Sequence, residues 1–217
     1  MRIVYLYGFA SGPQSDKAQF FKKKFTKLNV SFDIYDYIPN RENFTYLKTS
    51  TLLEKLNAHI KKKYSGEKVI LFGSSFGGLI STWYTHLYVE NVSKLILMAP
   101  ALRFSASRIC KLLEIIPSQW KKRGVVPIFH YRYDREIPLA YSFYEDILAN
   151  PPPEFKDNTF SIPTLIFHGK FDETVPVEWS QELQFVQNVI FHTLNSDHQL
   201  LDQKNTMWNI IREFLQI

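Results

Sequence analysis

The feature that most constrains the fold of this chain is the alternation of short apolar runs with segments of helical spacing. The helical segments cover residues 15–28, 50–64, 76–88, 177–187 and 199–215, and the apolar runs are RIVYLY (2–7), SFDIYDY (31–37), KVILFG (68–73), KLILMA (94–99), TLIFHG (164–169) and VIFHTL (189–194). Several runs are apolar on both faces, which is typical of strands covered on both sides. The alternation predicts an α/β fold of about six mostly parallel strands with helices on both faces of the sheet.

One long interval interrupts the alternation. Residues 100–162 separate the fourth run from the fifth, whereas connections in such folds usually span about 2 to 6 residues. Residues 105–120 have the pattern of a helix, residues 124–148 that of a hairpin followed by a helix, and NPPPEF (150–155) that of a stiff, non-helical return. Because about 60 residues hold an independent core only with difficulty, we interpret this segment as an insertion into a single domain over residues 1–217.

The composition is that of a globular protein, since 45% of the residues are hydrophobic, 16% aromatic and 22% charged. A lone cysteine, Cys110, excludes an intrachain disulfide and favours a reducing compartment. The apolar start ends at Gly8, too early for the core of a signal peptide, and no later run approaches the roughly 18 apolar residues of a membrane span. We therefore expect a cytoplasmic protein without membrane insertion.

The net charge of +5 raises the alternative that the chain binds nucleic acid or anionic lipid. The lysine runs Lys22–Lys24 and Lys61–Lys63 lie in segments with helical apolar spacing, where such runs are usually the solvated face of an amphipathic helix. We therefore expect no nucleic-acid partner, although part of the charge could steer an anionic substrate. HExxH and paired Cys and His spacings are absent from the sequence, and we expect neither a metal nor a cofactor.

A glycine-rich turn, GSSFGG (73–78), joins the third apolar run to the helical segment that follows. A phosphate-binding loop needs a lysine after the second glycine, but Leu79 follows Gly78. A dinucleotide-binding GxGxxG is also excluded, because Ser75 stands where its second glycine must be. The remaining interpretation is the nucleophile elbow Gly-x-Ser-x-Gly, in which Ser75 lies on a strained strand-to-helix turn and exposes its hydroxyl. The neighbouring Ser74 lacks this glycine spacing.

A nucleophilic serine needs a base to take its proton and an acid to orient that base. In this architecture the order along the chain is serine, acid, histidine, each after a strand. Asp172 follows the run TLIFHG and His198 follows the last run, so we predict Ser75, Asp172 and His198 as the catalytic residues. Three other acids are less well placed, being adjacent to the histidine, inside the insertion or next to the better-placed aspartate: Asp197, Asp134 and Glu173.

The other five histidines are expected to be structural. His59 and His86 lie in helical segments, and His130 lies in the insertion. His168 and His192 lie in strands. Of these, His168 could line the edge of the site, because it ends the strand that precedes Asp172.

The oxyanion that develops during acyl transfer needs two backbone donors, one from the residue after the nucleophile and one from the loop after the first core strand. Phe76 supplies the first. For the second, the chain turns at Gly8 directly after the opening run, which makes the Phe9 amide the leading candidate and the Ala10 amide the next.

Four stretches, YLYGFASGP (5–13), GSSFGG (73–78), FHGKFDETVP (167–176) and SDHQL (196–200), resemble the α/β-hydrolase superfamily in the order that it uses. The opening is similar to that of small bacterial serine esterases that lack the two N-terminal antiparallel strands and a large cap. The resemblance implies hydrolysis of carboxylic esters or thioesters without a cofactor. The family more often has histidine at the position of Tyr7, a residue that supports the oxyanion loop.

Three functions stay open on the sequence alone. A serine esterase or thioesterase with a small-molecule acyl substrate leads, a small serine peptidase or amidase would use the same residues, and a non-catalytic binding protein could retain the fold. The insertion also allows two interpretations, because its aromatic residues either wall an acyl pocket or form a satellite core. These residues are Phe104, Trp120, Phe129 and Tyr131.

Overall fold

The computed structural model describes residues 1–155 and 160–217. Its strands are β1 (Arg2–Leu6), β2 (Ser31–Ile34), β3 (Val69–Ser74), β4 (Val92–Met98), β5 (Val125–His130), β6 (Arg135–Ala140), β7 (Thr164–Gly169) and β8 (Val189–Leu194). Six of them form one sheet in the order β2-β1-β3-β4-β7-β8, in which all pairings are parallel. The predicted parallel sheet is confirmed, and each of the six apolar runs supplies one strand.

Helices accompany the strands and bury apolar stripes in the common core. They are α1 (Asp16–Thr26), α2 (Arg41–Thr45), α3 (Thr49–Tyr64), α4 (Phe76–Leu87), α5 (Ala106–Leu112), α6 (Pro117–Arg123), α7 (Ser142–Ala149), α8 (Glu178–Gln181) and α9 (Lys204–Leu215), with 3₁₀ turns at Val89–Asn91 and Glu182–Phe185. In α3, Leu52, Leu56 and Ile60 are buried at helical spacing, while Lys61–Lys63 are exposed. This lysine run is the solvated face that the sequence predicts.

Two predicted helices differ from those in the structure. The helix predicted over 177–187 is the short α8 followed by a 3₁₀ turn. The helix predicted from residue 199 begins only at Lys204, because Leu200 has a left-handed φ of 55°, which an α-helix does not accommodate. The helix α2 was not predicted, since five residues are too few to show a helical period; its signal is Asn40, whose side chain accepts from the Asn43 amide at 2.9 Å.

The helix predicted over 105–120 is wrong, since two helices, α5 and α6, occupy this part of the insertion. The break comes just before Pro117, which is the first residue of α6. Proline has no amide proton to continue a helix and disfavours helical geometry in the residue before it. The predicted hairpin and helix are confirmed as β5, β6 and α7. Residues 150–155 are non-helical as expected, and residues 156–159 of the insertion lie outside the described residues.

The insertion contributes buried side chains to the hydrophobic core that the sheet also forms. Trp120 is fully buried, and its indole nitrogen donates to the Leu139 carbonyl at 3.1 Å. On the outer face of the hairpin, Phe129 is 47% exposed and Tyr131 is 72% exposed. Trp120 therefore belongs to the main hydrophobic core, and Phe129 and Tyr131 face the solvent rather than an acyl pocket.

The sheet brings four of its loops to one edge. Because the strands are parallel, the loops after β1, β3, β7 and β8 all leave from the carboxyl ends of their strands, where open α/β sheets usually bind ligands. These loops carry the residues that the sequence singles out. Within residues 1–155 and 160–217, no helix has both the length and the apolar character needed to cross a bilayer.

Candidate active site

Ser75 lies at a sharp turn between β3 and α4. Its φ of 53° and ψ of −116° are unusual for a residue with a side chain, and such geometry costs of order 1–3 kcal/mol. Backbone crowding explains the flanking glycines: a Cβ on Gly73 would lie 2.4 Å from the Gly77 carbonyl oxygen, and one on Gly77 would lie 2.2 Å from that of Leu6. Ser75 is partly exposed, whereas Ser74 is 3% exposed and ends β3. The turn therefore has the geometry of a nucleophile elbow.

His198 and Asp172 complete a hydrogen-bonded chain with Ser75, which we call the Ser–His–Asp array. The Nε2 atom of His198 lies 3.0 Å from Ser75 Oγ, and its Nδ1 atom lies 2.7 Å from Asp172 Oδ2. A carboxylate only accepts, so His198 Nδ1 carries a proton and Nε2 is free to accept the one from the serine hydroxyl. The structure thus brings together the three side chains that the sequence selects, from the loops after β3, β7 and β8.

Asp172 is held as an anion by four donors. Its Oδ1 accepts from the amides of Thr174 and Val175 at 2.9 and 2.8 Å, and its Oδ2 faces His198 and His168. Burial by itself would raise the pKa of Asp172, but the hydrogen bonds from the two histidines and the charge of His198 outweigh burial and hold that pKa well below its usual range. A charged Asp172 can therefore orient His198 and stabilise its protonated form.

His168 is a member of the site whose role the sequence interpretation missed. It is fully buried, and its Nε2 lies 3.1 Å from Asp172 Oδ2 and 2.9 Å from the Val175 carbonyl oxygen. Its Nδ1 lies 2.7 Å from Ser180 Oγ. The serine hydroxyl donates to Nδ1, which leaves the proton on Nε2 to be shared between the Val175 carbonyl and the aspartate. Instead of lining the edge of the site, His168 lies behind Asp172. Its position four residues before Asp172 is the sequence feature that could have indicated this role.

The three alternative acids do not bond to the imidazole of His198. The Asp197 carboxylate accepts from the amides of Gln199 and Leu200 at 2.8 and 3.2 Å, so it shapes the turn that carries His198. The other two are exposed, Glu173 in the loop after β7 and Asp134 in the hairpin turn. None of the three faces the imidazole as Asp172 does.

Lys17, in the first turn of α1, is a second residue that the sequence interpretation did not select. It is partly buried, and burial lowers its pKa to about 8, while the charges of Asp172 and Asp197 act in the opposite direction. A positive charge therefore lies close to the acid end of the array. Across the described ranges, no cluster of three or more His, Cys, Asp or Glu side chains has a metal-binding arrangement.

The predicted oxyanion donors lie on the other side of Ser75. Phe76 is the first residue of α4, where amide protons have no partner within the helix. The loop after β1, residues 7–12, is here called the oxyanion loop; a Cβ on Gly8 would lie 3.6 Å from Ser75 Cβ, so this loop runs beside the serine. Among the described residues, neither the Phe9 nor the Phe76 amide donates to a turn or side-chain acceptor.

Five phenylalanines form an aromatic cluster beside these donors. Its ring centroids are 5.4 to 6.4 Å apart, and its members are Phe9, Phe44, Phe76, Phe104 and Phe143. Phe44 and Phe143 are fully buried, whereas Phe9 and Phe104 are partly exposed. Of the four aromatic residues that the sequence proposes for an acyl pocket, Phe104 is therefore the one that packs against the elbow.

The fold is that of the α/β hydrolases, as comparison with solved structures shows. Mouse alpha/beta hydrolase domain-containing protein 10 is 19% identical, with a TM-score of 0.73 over 99% of this chain and 89% of that one. Est1E from Butyrivibrio proteoclasticus, solved with ferulic acid bound, is 15% identical, with a TM-score of 0.74 over 100% of this chain and 90% of that one. A family model matches residues 2–216, and the chain belongs to that family, the uncharacterised protein family UPF0227. Comparison with the sequences of curated proteins found no match.

Proposed function

We propose that this chain is a serine hydrolase that cleaves carboxylic esters or thioesters through an acyl-enzyme on Ser75. The observation that carries the proposal is the Ser–His–Asp array, with distances of 3.0 and 2.7 Å at its two hydrogen bonds. A base within hydrogen-bond reach of a serine on a strained elbow is the arrangement that activates a hydroxyl for attack on an acyl carbon.

In the first half-reaction, His198 Nε2 takes the hydroxyl proton as Ser75 Oγ bonds to the acyl carbon. The carbonyl electron pair moves onto oxygen, and the amides of Phe9 and Phe76 donate to the resulting oxyanion. His198 then gives its proton to the departing alcohol or thiol as the carbon–oxygen or carbon–sulfur bond breaks. Asp172 stays ionised throughout, keeps the proton on His198 Nδ1 and stabilises the imidazolium.

The second half-reaction repeats these steps with water. His198 takes a proton from the water as its oxygen attacks the acyl-enzyme, and the same amides hold the second oxyanion. Collapse of that intermediate releases the acid and returns the proton to Ser75. No cofactor enters either half.

The aromatic cluster supports an apolar acyl group of modest size. The two residues that would donate to the oxyanion, Phe9 and Phe76, also place their rings in the cluster, so an acyl carbon at Ser75 would lie beside aromatic surface. Est1E, which shares the fold, has been solved with ferulic acid. This is a reason to include aromatic acyl esters among the substrates that are tested.

Replacing Ser75 with alanine tests the proposal. We expect the wild-type chain to hydrolyse short p-nitrophenyl esters and to react with a fluorophosphonate probe, and Ser75→Ala to lose both while it unfolds at the same urea concentration. Ser74→Ala is the matched control and should keep both. An unchanged rate in Ser75→Ala would refute the assignment.

Two further outcomes separate the alternatives. A panel that pairs each acyl ester with its thioester and its amide would assign the chain to the peptidases or amidases if the amides were cleaved faster. Failure of the wild-type chain to react with the probe or with any member of the panel would favour a binding protein that retains the hydrolase fold.

A further inference from the structure

The oxyanion loop has a conformation that needs support from elsewhere. Ala10 has a left-handed φ of 52°, which costs a residue with a side chain about 1 kcal/mol or more. The loop is neither helix nor strand between Leu6 and Asp16, so no regular hydrogen-bond ladder holds it. The direction of the Phe9 amide therefore depends on contacts that the loop makes with other elements.

The segment after β2 provides the first of these contacts. The hydroxyl of Tyr37 donates to the carbonyls of Tyr7 and Gly8, at 2.9 and 3.1 Å. The rings of Tyr7 and Tyr37 stack with centroids 4.4 Å apart. The Tyr7 hydroxyl in turn donates to Asp36 at 2.6 Å and accepts from the Ile38 amide at 3.0 Å. One side of the loop is thus bonded to residues 36–38.

The turn of the β5–β6 hairpin provides the second set of contacts. The Tyr131 amide donates to the Ala10 carbonyl at 2.9 Å. The side chain of Arg132 lies across Gly12 so closely that a Cβ there would come within 2.9 Å of Arg132 Cδ. Phe9 therefore lies between two fixed carbonyls, Gly8 on one side and Ala10 on the other.

An ion pair joins the two sets of contacts. Arg132 Nη1 lies 3.0 and 2.9 Å from the two carboxylate oxygens of Asp36 and donates to the Ile38 carbonyl at 2.8 Å, while Nη2 is 3.4 Å from the Pro39 carbonyl. The Arg132 and Asp36 side chains are 25% and 29% exposed, so water screens the pair only in part. Through Asp36, the guanidinium is linked to the Tyr7 hydroxyl and hence to the start of the loop.

We propose that Arg132 and Asp36 are positioning residues that fix the oxyanion loop, so that the hairpin of the insertion is a required part of the catalytic machinery. This rests on the proposed function, because the value of a fixed Phe9 amide lies in its bond to the oxyanion. Losing an oxyanion donor typically lowers kcat by about 10² to 10³. Loss of the ion pair leaves Phe9 present but less well directed, and we expect kcat to fall about 10- to 100-fold with KM changed less than about threefold.

The test uses Arg132→Met, which keeps a side chain over Gly12 and removes the guanidinium, together with Arg132→Lys and Asp36→Asn. Arg135→Met, at an exposed position of the same hairpin, is the matched control and should have wild-type kcat. Arg132→Lys should recover part of the loss, because an ammonium keeps the charge but not the second nitrogen that faces the Pro39 carbonyl. The double variant Arg132→Met/Asp36→Asn should lose no more than the worse single variant if the two side chains act as one unit.

A second measurement reports on the contacts of the oxyanion loop and does not depend on catalytic activity. The Ile38 amide donates to the Tyr7 hydroxyl, so residue-resolved hydrogen exchange at Ile38 reports whether that contact persists. In Arg132→Met we expect exchange at Ile38 to accelerate about tenfold or more while the amides of β3 and β4 keep wild-type rates. Unchanged exchange, a uniform acceleration through the sheet, or faster exchange at Ile38 with wild-type kcat would each overturn the proposal. If the wild-type chain hydrolyses no ester and does not react with the fluorophosphonate, the proposed function fails, and the exchange rates alone decide whether Arg132 holds the loop.

Discussion

The two sides of Ser75 are held by contacts of very different range along the chain. On the side of the base, the Asp172 carboxylate accepts from amides two and three residues later, and Asp197 does the same in the turn that carries His198. On the oxyanion side, the loop is bonded to Tyr37, 29 residues from Gly8, and Arg132 reaches Asp36 across 96 residues. The first side is built from local turns, and the second is assembled from distant segments.

The difference teaches which parts of such a site a sequence can disclose. Asp and Asn side chains that bond amides two or three residues ahead form turns with a recognisable local pattern. A guanidinium that bonds a carboxylate 96 residues away leaves no local pattern, because its partner is set by the packing of the insertion on the sheet. The following predictions test whether the local side is also the more robust one.

The largest effect is expected from Asp172→Asn on the local side. An asparagine amide can donate to His198 Nδ1 and so favour the wrong tautomer, an exchange that lowers kcat by about 10⁴ in a serine protease with this array. We expect a fall of about 10³ to 10⁴ in kcat with a folded protein, measured with a short p-nitrophenyl ester and circular dichroism. Asp197→Asn is the matched control, since asparagine can still accept from the amides of Gln199 and Leu200. A comparable loss in Asp197→Asn would contradict the assignment of the acid.

Most of the sheet was predictable, because the six apolar runs are buried strands whose pattern is local. The serine, the acid and the histidine were predictable for the same reason, as each follows a strand in a recognisable turn. Pro117 also indicates a break in the helix, but the apolar spacing over 105–120 favours one continuous helix, and the prediction followed the spacing. By contrast, nothing local distinguishes Arg132 from the exposed Arg135, because burial and partner decide their difference.

The next-largest effect is a pH dependence of the free energy of unfolding, which we expect from His130 in the β5–β6 hairpin on the oxyanion side. His130 is fully buried between Phe44 and Tyr133, and among the described residues its ring nitrogens have no hydrogen-bond partner. Burial, with the charge of Arg132 in addition, lowers its pKa from 6.5 to about 4. The unfolded chain therefore binds a proton that the folded chain excludes between these two pH values. The contribution to stability is complete above about pH 6.5 and is lost as the pH falls toward 4.

Urea unfolding of the wild-type chain and of His130→Phe at pH 7.5, 5.5 and 4.5 measures this contribution. The wild-type free energy of unfolding should fall by up to about 3 kcal/mol more than that of the variant between the highest and lowest pH. An equal fall in the free energy of unfolding in the two proteins would show that His130 does not make the hairpin sensitive to acid. A fall confined to the wild type would show that acid weakens the oxyanion side through His130. The side of the base would differ in this respect, since Asp172 keeps its charge over the same pH range.

The smallest effect is expected from His168, the buried residue behind the acid. His168→Leu removes one donor from Asp172, which retains His198 and the amides of Thr174 and Val175, so its carboxylate should shift rather than leave the array. We expect kcat to fall about tenfold with little change in KM, and the variant to retain reaction with the fluorophosphonate at a reduced rate.

His192→Leu, in the neighbouring strand β8, is the control for loss of a histidine from the sheet and should keep the wild-type kcat. If His168→Leu lowered the free energy of unfolding without changing kcat, His168 would support only the fold, as the sequence interpretation held. If it lowered kcat as far as Asp172→Asn does, the local side would depend on a single buried bond rather than on several, and the contrast between the two sides of Ser75 would disappear.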